Sequence, residues 1–129
     1  MLAVLALASV LVIPAVQPAL DAVRAEAGIR RTAAFLDDAR RRSVLERKTL
    51  TVRCRLRENQ LELGRPGAEP AIFRIPEPLT LAECRPELLR YFPQGAATGM
   101  ALSLRDPRGR ERLISVGSFT GLARVEDQP

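Results

Sequence analysis

Met1 to Leu20 carry no charged side chain, and from Asp21 onward charged and apolar positions alternate with a helical period. As a helix, at about 1.5 Å per residue, the uncharged stretch is about 30 Å long, enough to cross a hydrocarbon core. Ser9, Pro14, Gln17 and Pro18 interrupt it. Its strongly apolar part, Leu2 to Ile13, also has the length of a signal-peptide core. Beyond it, Ala25, Ile29, Ala33, Leu36, Ala39 and Ser43 recur at steps of three or four and share one stripe. Asp37 with Arg41, and Asp38 with Arg42, are spaced to pair on the outer face. The pattern predicts one long, kinked helix, apolar over 1–20 and amphipathic over 21–48. Its stripe (Ala25, Ile29, Ala33, Leu36, Ala39) is the expected helix–sheet core.

After Lys48 the period changes to two. "TLTVRCRLREN" puts Leu50, Val52, Cys54 and Leu56 on one face and Thr51, Arg53, Arg55 and Arg57 on the other, a half-buried strand. "QLELG" reads as the returning strand and "RPGAEP" as a loop. "AIFRI", "LTLAE" and "LLRYF" read as short strands kept brief or at an edge by Pro76, Pro78 and Pro86. "MALSL", a "DPRG" type I turn, "RERLISVG" and "GLARVE" complete a small antiparallel sheet over 49–129. The expected class is therefore α+β.

The length, 129 residues, allows one compact domain with a hydrophobic appendage. The net charge of +5 is almost wholly arginine, which base composition produces as readily as anion binding. The aromatic fraction of 4% gives few platforms for stacking bases. On a helix Arg40, Arg41 and Arg42 fan out, so they read as a solvated, salt-bridged face. Arg53, Arg55 and Arg57 form a more coherent basic surface, although the exposed side of any antiparallel sheet has alternating polar residues.

With no histidine, the commonest general base and metal ligand is missing. Ser103, Ser115 and Ser118 have no base to activate them, and no glycine-rich turn has a phosphate-loop pattern. The chain reads as a non-enzyme with no cofactor, no metal and no small-molecule substrate. Cys54 and Cys84 are too few and too far apart for a zinc knuckle. A buried thiol at Cys54 and a Cys54–Cys84 bridge are both open, depending on the compartment.

The order of apolar helix, amphipathic extension and antiparallel sheet resembles type IV pilin-like proteins. "FLDDARRRSVLERKTLTVRC" resembles the segment where a pilin helix leaves the membrane and enters its first strand. "YFPQGAATGMALSLRDPRGRERLISVGSFTGLARV" resembles the C-terminal sheet of the GspH/FimT pseudopilin family, with Phe92 to Gly95, Thr98-Gly99 and Thr120-Gly121 carrying the likeness. The family's basic leader and Phe-Thr-Leu-x-Glu start are not in this sequence. "MLAVLALASVLVIP" reads as their continuation, so Met1 is expected to be an internal methionine.

The resemblance implies a minor pseudopilin of type II secretion. Its single membrane helix would sit in the bacterial inner membrane and its C-terminal domain in the periplasm, in contact with major and minor pseudopilins and the secretion apparatus. Ala3, Ala6, Ala8 and Ser9, with Pro14, would let that helix approach its neighbours closely in lipid. Two other readings stand beside it. One is a minor pilin of a type IV pilus that binds DNA during uptake, suggested by the charge and by Arg53, Arg55 and Arg57. The other is a free periplasmic protein released from a signal peptide.

Overall fold

The computed structural model describes residues 2–127, and the side chains of 19–126 among them. Helix α1 (Leu2–Glu46) runs without a break. It stops two residues earlier than the sequence pattern suggests, because Arg47 turns left-handed at φ 56° and Lys48 N–H bonds back to the Ser43 carbonyl at 3.2 Å. That is the six-to-one closure of a helix C-terminus, with arginine where glycine is usual.

Eight strands follow: β1 (Leu50–Arg55), β2 (Gln60–Gly64), β3 (Ala71–Arg74), β4 (Thr80–Arg85), β5 (Leu88–Tyr91), β6 (Met100–Arg105), β7 (Glu111–Val116) and β8 (Ala123–Asp127). They form two antiparallel sheets instead of the single one expected, in the orders β3-β2-β1-β5 and β4-β6-β7-β8. The chain changes sheet three times, before β4, before β5 and before β6. Period-two patterning reveals a strand's buried face but not its neighbour, so this division is invisible in the sequence.

One apolar cluster joins the three parts. Ile29, Leu36 and Ala39 of the helix meet Leu50, Val52, Leu61 and Leu89 of the first sheet and Leu102, Leu104 and Ile114 of the second. Each large aliphatic side chain buried there contributes about 1.5–3 kcal/mol. Two buried polar residues on the helix stripe are satisfied by backbone: the Thr32 hydroxyl donates to the Gly28 carbonyl at 2.8 Å, and that of Ser43 to the Lys48 carbonyl at 2.6 Å. Gly28 sits where the helix meets the 76–79 loop, and a Cβ there would come within 2.7 Å of Leu79 Cδ1.

Two further ties hold the sheets together. A disulfide joins Cys54 on β1 to Cys84 on β4. Asn59, left-handed at φ 54° in the β1–β2 turn, accepts from Leu81 N–H at 2.6 Å and donates through Nδ2 to the Leu79 carbonyl at 3.1 Å. That turn spans 56–59, so Leu56 and Arg57 lie beyond β1: Leu56 is exposed, not inward, and Arg57 leaves the row of Arg53 and Arg55.

The bridge spans 30 residues of chain, for which loop-closure entropy gives about 3–4 kcal/mol. Replacing Cys54 and Cys84 together by alanine is expected to lower unfolding free energy by about that amount in urea titrations. A double variant as stable as the parent would show that the bridge adds nothing.

Candidate interaction surfaces

The last three turns of α1 are fastened to the ends of the strands by side chains. Asp37 Oδ1 accepts from Ala123 N–H at 3.0 Å, at the start of β8. It therefore caps a strand instead of pairing with Arg41, whereas Asp38 does pair with Arg42 at 3.0 Å. Arg40, half-buried, also departs from the solvated face expected for the 40–42 run. Its Nε–H is shared between the carbonyls of Gly95 (3.1 Å) and Thr120 (2.8 Å). The two loops come close together there, and a Cβ on Gly121, at φ 67°, would overlap the Gly95 carbonyl oxygen. Further up the helix, Glu26 pairs with Arg112 of β7 at 2.7 Å.

This clasp fixes the 117–122 loop, from which Phe119 projects 91% exposed, with Leu122, three residues on, exposed as well. At the helix end Val44 and Leu45 are exposed as well. Beneath the clasp lies Tyr91, whose hydroxyl is buried without a hydrogen-bond partner among the described residues. Burial first, and the Asp37 carboxylate second, push its pKa far above the ordinary tyrosine value, against the pull of Arg40. It stays neutral at any physiological pH.

The outward faces of the two sheets differ in charge. In the first, register places Arg90 beside Thr51, then Leu88, Arg53, Glu62 and Ile72 in one row, and Arg55, Gln60 and Arg74 in the next. Four arginines thus face one carboxylate, Glu62, which pairs with Arg55 at 3.2 Å. In the second, Arg85, Arg105 and Arg124 are matched by Glu83, Glu111 and Glu126. Arg85 pairs with Glu83, and Arg105 with Glu111 at 2.6 Å. The hydrogen bond from Arg105 is the main reason that the Glu111 carboxyl is held below its usual pKa.

No protein-family model matches the sequence, and no curated protein matches it. Among solved structures, the minor pseudopilin EpsH from the type 2 secretion system of Vibrio cholerae is similar, with a TM-score of 0.60 and 15% identity over 81% of this chain and 97% of that one. The chain has a pilin-like fold. The type IV minor pilin FimU of Pseudomonas aeruginosa, in two crystal forms, is also similar: TM-score 0.57 in each, 18% and 19% identity, covering 81% of this chain and 87% and 92% of FimU.

Within this pilin-like fold, Ala25, Ile29, Leu36 and Ala39 are buried against the sheets, and Ala33 is half-buried at the margin of the core. Arg53 and Arg55 share the outer face of the first sheet, whereas Arg57 lies in the turn. Arg74 and Arg90 join that face through strand pairing, which no local sequence signal reveals. Ala3, Ala6, Ala8, Ser9 and Pro14 lie outside the residues whose side chains are described. Among the described residues no helix is long and apolar enough to cross a membrane.

Arg40→Ala removes a charge-assisted donor from two carbonyls and is expected to cost about 1–3 kcal/mol of stability. Amide exchange should then quicken in 117–122 before it does so in the core strands. Unaltered exchange in that loop would show that Arg40 does not hold it. Tyr91→Phe deletes a buried hydroxyl without a partner and is expected to leave stability unchanged or raise it by up to about 1 kcal/mol. A clear loss in the same denaturation assay would mean that the hydroxyl is satisfied in solution.

Proposed function

We infer that the protein is a minor pseudopilin, a structural and assembly subunit of a type II secretion pseudopilus and not an enzyme. The observation that carries this reading is the helix-and-two-sheets fold, similar to EpsH over nearly the whole of that chain. In it, α1 has two tasks. Residues 25–43 are cemented into the domain, and the uncharged residues 1–20 anchor the chain in the inner membrane and pack among the helices of neighbouring pseudopilins. Ala3, Ala6, Ala8 and Ser9 would let backbones approach there, where packing drives association.

The domain would stand in the periplasm, an oxidising compartment suited to a Cys54–Cys84 bridge. The clasped 117–122 loop, with Phe119 and Leu122, and the two outer sheet faces are the surfaces available to other pseudopilins and to the secretion apparatus.

The near-equal likeness to FimU favours a second reading, a minor pilin of a type IV pilus. Deletion of the gene in the source bacterium, followed by complementation, tests both. Secreted proteins accumulating in the periplasm are the expected result. Lost surface piliation with intact secretion would replace the first reading by the second, and normal secretion with normal piliation would overturn both. Fractionation tests the anchor: the full chain is expected in the inner membrane, and recovery in the soluble periplasm would mark a protein released from a signal peptide.

A further inference from the structure

We propose that the cleft between α1 at Asp21 and Arg24 and the 77–80 loop binds the headgroup of a zwitterionic aminophospholipid, of the phosphatidylethanolamine type, at the periplasmic surface of the membrane. The proposal rests on residues 1–20 being the membrane anchor, and adds which lipid the domain meets where that anchor ends. The cleft is about 490 Å³, with Asp21, Arg24, Asn59, Glu77, Leu79 and Thr80 on its walls. Asp21, Arg24 and Gly28 are spaced by three and four, so they share one helix face. At Gly28 the loop closes on that face: a Cβ there would lie 2.7 Å from Leu79 Cδ1 and 3.3 Å from Pro76 Cβ. Toward Asp21 the two diverge and the cleft opens. Asn59 keeps the loop in place, because its bonds to the Leu79 carbonyl and Leu81 N–H grip the chain on both sides of Thr80.

Depth is the first argument for a lipid. The uncharged sequence ends at Leu20. A headgroup layer is about 5–7 Å deep on each side of the hydrocarbon, and at about 1.5 Å per residue it takes in residues 21–24. The rim of the domain lies at the same level, since a second, smaller cleft brings Asp106, Arg108 and Arg110 of the β6–β7 turn beside Asp21 and Ala22.

Charge is the second. Asp21, Arg24 and Glu77 form no ion pair among the described residues. Two carboxylates and one guanidinium match a ligand that carries one primary ammonium and one phosphate. The ammonium N–H groups donate to Asp21 and Glu77, and Arg24 takes the phosphate with parallel N–H donors. A choline headgroup has no N–H to donate, and an anionic headgroup brings only negative charge to a cleft whose own charge is −1. Among the described residues no three metal-ligating side chains converge, so a bare metal ion has no ligand set here. Leu20, exposed and one helical turn below Arg24, lies on the path of the acyl chains.

The test reconstitutes the purified full chain into nanodiscs with equal parts of phosphatidylethanolamine, phosphatidylcholine and phosphatidylglycerol. The chain is then released into mild detergent, and the lipids it retains are counted by native mass spectrometry. Asp21→Asn and Glu77→Gln are combined in one variant. Glu69→Gln with Glu126→Gln, both exposed and with the same change in net charge, form the control. Thermal melts establish that both fold.

The parent is expected to retain phosphatidylethanolamine about fivefold over either other lipid, as two exposed carboxylate–ammonium contacts allow. The cleft variant should lose this preference and the control should keep it. Equal retention of the three lipids by the parent would overturn the headgroup site and leave the anchor standing. A preference for phosphatidylglycerol would give the contact to Arg108 and Arg110 and overturn it too. Equal loss in variant and control would reduce the effect to net charge and overturn the assignment to this cleft. Displacement of the retained lipid by soluble phosphoethanolamine at the same headgroup concentration would make a free metabolite the ligand and overturn the membrane source. A chain that does not enter nanodiscs at all would overturn the anchor reading, and this proposal with it.

Discussion

Everything in this domain depends on covering one stripe of a helix that is otherwise charged. Ile29, Leu36 and Ala39 cannot be left in water beside so many arginines and carboxylates, and one four-stranded sheet does not enclose them alone. Two sheets meeting on the helix do. The stripe is kept narrow by Ala25, Gly28 and Ala39, which let the backbone come close to its neighbours. Its two polar members, Thr32 and Ser43, turn their hydroxyls back onto carbonyls, so that neither is left unmet.

The second constraint is that the sheets must stay in register with one another. The chain alternates between them, and each crossing would be a point of slippage without a lock. The Cys54–Cys84 bridge and the Asn59 side chain supply two locks at one end, both reaching from the β1–β2 hairpin to the region of β4. At the other end the helix supplies the lock through Asp37, Arg40 and Ser43, which bind the start of β8, the loops around Gly95 and Thr120, and the Tyr91 carbonyl at the end of β5. A domain locked at both ends couples its helix rigidly to its outer surfaces.

Those outer surfaces are unlike. One sheet carries an arginine stripe with a single acidic neighbour, the other a balanced mosaic of ion pairs, each worth little on an exposed surface. Packing does not require the difference, since either composition keeps an outer face wet. It is the sort of asymmetry that selects partners and speeds their encounter more than it stabilises a fold.

The sequence by itself determined the helix, the strand segments and the buried stripe, because 3.6 and 2.0 periodicities are local consequences of backbone geometry. It also determined the chemistry of Asp106 to Gly109, whose tight turn closes with Gly109 N–H on the Asp106 carbonyl. Only the tertiary structure decided which strands are neighbours, and with that the division into two sheets and the company that Arg53 and Arg55 keep. Arg57 was misplaced because a turn ends the strand two residues before it. Arg74 and Arg90 were unreadable because pairing brings them in from other strands. Arg40 and Asp37 looked like members of a solvated helix face, and what turns them inward are backbone groups about 55 to 86 residues away. A local pattern reports which side of an element is wet, whereas a distant carbonyl or amide that needs a partner exists only once the chain has folded.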